Sequence, residues 1–109
     1  MALFIVTGCY TADAIKGLLA APSDREAAVR PLVEAAGGKM VSFLVTTGDT
    51  DFSMVVDTDD TEGLMSALIV AGATGTVSNL KTVQAFTSAQ FLSAQKKAAS
   101  IAASFKPAS

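Results

Sequence analysis

The 109-residue chain is long enough for one hydrophobic core and too short for two independent ones. Half of its residues are apolar and its mean hydropathy is +0.47, yet no apolar run approaches the roughly 18 to 20 residues that span a bilayer. The formal charge of −2 is split. Residues 1–87 carry five basic and ten acidic side chains, whereas residues 88–109 carry Lys96, Lys97 and Lys106 and no acid. Neither part has the concentrated basic face with stacking aromatics of a nucleic-acid binder.

Residues 2–10, ALFIVTGCY, are apolar on both alternating sets, Leu3 and Ile5 against Phe4 and Val6, the pattern of a strand buried on both faces. Val6-Thr7-Gly8-Cys9 mimics a lipoprotein cleavage box, but the run before it is too short and lacks a basic flank. Cys9 is the only cysteine, so an internal disulfide is impossible, which fits a reducing cytoplasm. Thr11 offers an N-cap to a short helix that runs to about Ala20 and stops before Pro22.

Ser23 and Glu26 read as a capping box for a second helical segment with the stripe Ala28, Val29, Leu32, Val33 and Ala36, interrupted by Pro31. Gly37-Gly38 terminates it. Met40–Thr47 and Phe52–Thr58 form the second and third strands, joined by Gly48–Asp51 as a tight antiparallel hairpin. Asp59 with Glu62 caps the next helix, whose apolar side is Leu64, Met65, Leu68, Ile69 and Ala71, and which Gly72 and Gly75 stop. Val77–Phe86 is a fourth strand, polar enough through Ser78, Asn79, Lys81 and Gln84 for a sheet edge. Thr87 and Gln90 form a capping box for a last helix with the stripe Phe91, Ala94, Ala98, Ile101 and Phe105.

The order β-α-β-β-α-β-α predicts an α+β, ferredoxin-like βαββαβ unit over residues 1–87, with a four-stranded antiparallel sheet in the order 4-1-3-2, followed by an amphipathic C-terminal helix and tail over 88–109. That order places the two apolar strands at the centre. Helices cover one sheet face only, and the pairs Ile5/Phe4, Val55/Met54 and Leu44/Phe43 make both faces apolar. The expected cover for the second face is another copy of the chain, in a homodimer or larger homo-oligomer.

The spacing of Tyr10-Thr11, Gly37-Gly38-Lys39, Ser42-Phe43, Thr47-Gly48, Asp51-Phe52 and Ala85-Phe86-Thr87 resembles the GYD-domain family of small bacterial proteins, over about residues 3–91. The resemblance implies a ferredoxin-like, dimeric α/β-barrel-type fold and no established activity. Of the family's naming motif, Gly48 and Asp51 match, while Thr50 stands where the tyrosine would be. Leu44 replaces a second common tyrosine, and Gln84 replaces the arginine expected near the end of the fourth strand.

With no histidine and one cysteine, the chain lacks the ligands of haem, common zinc and thiolate-cluster sites, and no cofactor is expected. The acids Asp57, Asp59, Asp60 and Glu62 lack the spacing of a calcium loop. Gly72–Thr76 follows a helix rather than opening one, so it reads as a helix end and not as a phosphate cradle. Cys9 is expected to be buried and unreactive. Asp51 is the first candidate: burial beside a central strand would raise its pKa and permit general-base work, but the favoured role is a turn acceptor bonding hairpin amides. Tyr10, Lys16 and Arg25 are the further candidates for a cleft between sheet and helices, although such a Tyr10 is more often simply an amphipathic strand end.

Two functions fit. One is a small oligomeric module that binds a small apolar molecule or serves assembly. The alternative is a cofactor-free isomerase or monooxygenase of the dimeric α/β-barrel type, with Asp51 and Tyr10 lining an apolar pocket.

Overall fold

A computed structural model describes residues 2–108. The elements run β1 (Leu3–Tyr10), α1 (Ala12–Ala20), α2 (Arg25–Ala35), β2 (Lys39–Val45), β3 (Phe52–Asp57), α3 (Thr61–Ala73), β4 (Val77–Ala85) and α4 (Ser88–Ala102). The strands form one sheet ordered β2-β3-β1-β4, and every pairing is antiparallel. This is the ferredoxin-like arrangement. The two most apolar strands lie in the middle, where each backbone finds partners on both sides.

Strand alternation sorts the sheet into two faces. Phe4 and Val6 of β1 sit opposite Val56 and Met54 of β3, and all four are buried beneath the helices with Phe52, Met40, Val33 and Leu64. The opposite set, Leu3 and Ile5 beside Val55 and Val83, forms the open face. That face is apolar only at its middle, because Thr7, Ser53, Asp57 and Lys81 share it. Its outer members Leu44 and Val83 are 64% and 57% exposed.

A bulge on β4 inserts a residue between the partners of Thr7 and Cys9. Asn79 takes the left-handed conformation there, with φ of 52°, a backbone state that asparagine tolerates better than most residues. Leu80 already alternates onto the core side with Thr82, and the bulge brings Val77, opposite Tyr10, onto the same side. Opposite it, Gly8 is required by space, since a Cβ would stand 2.7 Å from the Phe52 ring and 2.9 Å from Leu80.

Helix ends follow local chemistry, with three corrections to the sequence expectation. Thr11 caps α1 through Ala14 N, as expected. The cap of α2 is Asp24, whose Oδ1 accepts from Ala27 N at 3.3 Å, and not Ser23. Ser23 Oγ instead accepts from the Arg25 guanidinium at 3.1 Å, because the chain leaving Pro22 turns helical one residue later. Likewise α3 is capped by Asp60, which accepts from Gly63 N at 2.8 Å, rather than by Asp59. Gly72 lies inside α3, so it does not stop that helix. At the end of α2, Gly37 has φ of +86°, and the bonds Gly38 N to Val33 O and Gly37 N to Glu34 O, both 3.0 Å, form a Schellman motif. Pro31 sits within α2.

The C-terminal helix has the expected Thr87/Gln90 capping box and no buried residue. Every described residue from Phe86 onward is exposed. The radius of gyration of 18.0 Å exceeds the roughly 13 Å of a compact chain of this length, because α4 does not fold back over its own sheet.

Candidate functional site

Between the core face of the sheet and α1, α2 and α3 lies a cavity of about 330 Å³. Its walls are apolar: Val6, Phe43, Phe52 and Met54 from the strands, Val29 and Leu68 from the helices. The space exists because several of the residues that α1 and α3 turn toward the sheet are small. Ala14 and Gly17 on α1 and Ala21 just past its end recur at near-helical spacing, and Ala67 and Ala71 do so on α3, beside the larger Leu18, Leu64 and Leu68. A Cβ added at Gly17 would meet nothing within 4 Å.

The lining also includes polar groups, among them the buried Thr58. Tyr10, Asp13, Ser23, Arg25 and Thr76 reach the same cavity. The Tyr10 ring is fixed against Phe52, with centroids 5.5 Å apart, and Phe52 stacks in turn on Phe43 at 6.0 Å. Tyr10 Oη is buried with no hydrogen-bond partner among the described residues. Burial raises the phenol pKa above its ordinary 10.0; the nearby Arg25 guanidinium opposes the rise and the Asp51 carboxylate adds to it. Arg25 thus lies within electrostatic reach of the phenol, without a hydrogen bond of ordinary geometry to Oη.

A second, more open hollow of about 400 Å³ adjoins the first and shares Tyr10, Leu18, Ser23 and Arg25 with it; Asp51, Val45 and Thr46 are among the rest of its wall. Asp51 is half-buried, and its Oδ2 accepts from the Tyr10 amide at 2.9 Å. Its own amide donates to Gly8 O and its carbonyl accepts from Thr46 N, both at 2.8 Å. Its carbonyl thus closes the turn, while its side chain clamps the hairpin to β1 instead of bonding turn amides.

The structure brings Tyr10, Arg25 and Asp51 together. Lys16, on α1, is exposed and lines neither hollow. Cys9 is half-buried, and its thiol donates to Asp49 O at 3.3 Å. Thr50 is half-buried, with its carbonyl accepting from Thr46 Oγ1 at 2.7 Å, while Gln84 is exposed on β4. Sequence reasoning missed Asp13, Ser23 and Thr76 as lining groups. Thr76 is placed by Thr11, whose amide donates to Thr76 O at 3.0 Å and whose hydroxyl donates to Gly75 O at 2.8 Å. The spacing of Ala14, Gly17 and Ala21 was the available signal for the cavity.

An open antiparallel sheet with helices on one face and a hollow beneath them defines a ferredoxin-like α+β protein with an internal pocket. Residues 4–94 match the GYD domain, and the chain belongs to the GYD-domain family. No curated protein and no solved structure matches it significantly. Among the described residues no helix is long and apolar enough to cross a membrane.

Proposed function

We propose that this chain is a self-associating module that holds a small, mostly apolar molecule between its sheet and its helices. The observation that carries the reading is the 330 Å³ cavity. Its volume falls in the range of roughly 300 to 1,000 Å³ usual for ligand sites, and it combines apolar walls with a few convergent polar groups. Unfilled core space forfeits dispersion contacts, so a chain selected only to fold would gain by larger residues at Ala14 and Gly17.

Self-association follows from two unpartnered apolar surfaces and their charges. The open sheet face presents Ile5, Val55, Leu44 and Val83, and α4 presents Phe91, Leu92, Ile101 and Phe105. Residues 88–109 are net +3 and residues 1–87 net −5, so a second copy offers α4 both an apolar seat and an opposite charge. Monomeric proteins rarely leave such surfaces to water.

The alternative, a cofactor-free isomerase or monooxygenase, draws on one observation, that Tyr10 and Asp51 border the same hollow. Binding is favoured because one oxygen of Asp51 is already committed to the Tyr10 amide.

Native mass spectrometry of the protein from its expression host tests the reading. The expected result is a non-covalent mass addition that disappears on denaturation and is absent from Ala14→Leu, which adds bulk to the cavity from a buried lining position. No addition to either form, with equal uptake of an apolar fluorescent dye by both, would sink it.

A further inference from the structure

We propose that the cavity takes a neutral, largely apolar molecule bearing one carbonyl oxygen, and that the Tyr10 hydroxyl is the donor that recognises this oxygen. The inference rests on the ligand-binding reading above and adds the class of ligand.

Tyr10 Oη is buried and has no hydrogen-bond partner among the described residues, although a buried hydroxyl ordinarily finds one. A phenol can donate one hydrogen bond, and with an ordinary pKa of 10.0 that burial raises further it carries its proton at neutral pH. The cavity therefore presents a donor that lacks an acceptor.

Charge then narrows the acceptor. Arg25 is the cation lining both hollows and lies beside the phenol; a cationic group would bring the phenol proton no acceptor and would itself have to leave water for apolar walls. Asp13 lines the cavity and Asp51 the adjoining hollow. Together they outweigh the single guanidinium and oppose a ligand anion that must also leave water for apolar walls. A neutral carbonyl avoids both penalties, since it accepts from Oη without carrying charge inward. The remaining wall, formed by Val6, Phe43, Phe52 and Met54, suits an aliphatic or aromatic body. Residues 21–24, which join α1 to α2, are all exposed and form the side through which the ligand oxygen reaches the phenol.

Three probes of matched shape decide the matter: 2-acetylnaphthalene, its isostere 2-isopropenylnaphthalene with CH2 in place of oxygen, and 2-naphthoate. The chain has no tryptophan and a single tyrosine, so binding is followed by naphthyl fluorescence against a low background. The ketone should bind wild-type protein about tenfold more tightly than the hydrocarbon, the weight of one neutral hydrogen bond in an apolar site. It should also bind more tightly than the carboxylate. Tyr10→Phe should abolish the preference for the ketone and leave hydrocarbon binding unchanged. Equal affinity of wild-type protein for ketone and hydrocarbon, or tightest binding of naphthoate, overturns the ligand class while the cavity reading stands. A ketone preference that survives Tyr10→Phe removes Tyr10 as the donor. Failure of all three probes to bind overturns both readings. Should Tyr10→Phe not fold, the wild-type comparison of ketone with hydrocarbon still decides the class.

Discussion

The Tyr10 amide donates to Asp51 Oδ2 at 2.9 Å, and this bond ties the last residue of β1 to the end of the β2–β3 hairpin. Asp51→Ala removes a charged acceptor and leaves a half-buried amide unpaired, so it should cost about 1.5 to 3 kcal/mol. Asp51→Asn keeps an acceptor and should cost less than half as much. Urea unfolding of both variants checks this, and a neutral Asp51→Ala would show that the clamp contributes nothing.

The Tyr10 phenol carries a pH signature. Burial raises its pKa in the folded chain above 10.0, against the opposing pull of Arg25, so the folded state keeps the proton longer than the unfolded state does. Its contribution to stability is fully present below about pH 10 and is lost as pH rises from there through the folded value. Because the chain has one tyrosine, a near-ultraviolet titration reads this group directly. The folded midpoint should lie above the midpoint in denaturant, and Tyr10→Phe should lose less stability above pH 10 than wild type.

Two glycines of α3 should respond to alanine with opposite signs. A Cβ at Gly63 would collide with the backbone carbonyl of Ala36, which cannot move aside independently of α2. Gly63→Ala should therefore destabilise by about 1 to 3 kcal/mol, as overpacking does. At Gly72 a Cβ meets nothing within 4 Å, and Gly72→Ala should stabilise by up to about 1 kcal/mol through reduced chain entropy. Thermal unfolding of the pair provides the comparison.

The start of α2 can be assigned by substitution. Asp24→Ala should cost about 0.5 to 2 kcal/mol, the usual loss for an N-cap, while Ser23→Ala should change stability by no more than about 0.5 kcal/mol, as exposed substitutions do. The reverse ranking in denaturant titration would return the cap to Ser23.

Charges on the unpartnered surfaces should separate assembly from folding. Leu44 and Phe91 are each 64% exposed, so Leu44→Asp and Phe91→Asp should leave the isolated fold intact while lowering the mass seen by light scattering toward the 11.1 kDa of one chain. Val55→Asp, at a half-buried site on a central strand, should also lower the melting temperature, because an unpaired charge there is poorly solvated. Wild-type protein that scatters as a monomer at micromolar concentration contradicts the assembly.

Much of this protein was determined by its sequence alone, for local reasons. Two-sided apolar alternation in residues 3–6 and 52–56 set the central strands, Gly37 set the end of α2, and Thr87 with Gln90 set the start of α4, since each signal acts within a few residues of its effect. The choice of Asp24 over Ser23 and of Asp60 over Asp59 escaped the sequence, because adjacent residues carry equivalent capping chemistry and only the path of the chain selects between them. Tertiary structure alone decided the rest. Asp51 meets Tyr10 across 41 positions of sequence because the sheet order sets β3 beside β1. The cavity is open because small residues of α1 and α3 face the same part of the sheet, a coincidence of faces that no single helix reveals. Lys16 lies outside it for the corresponding reason: it projects from the opposite, solvated side of α1.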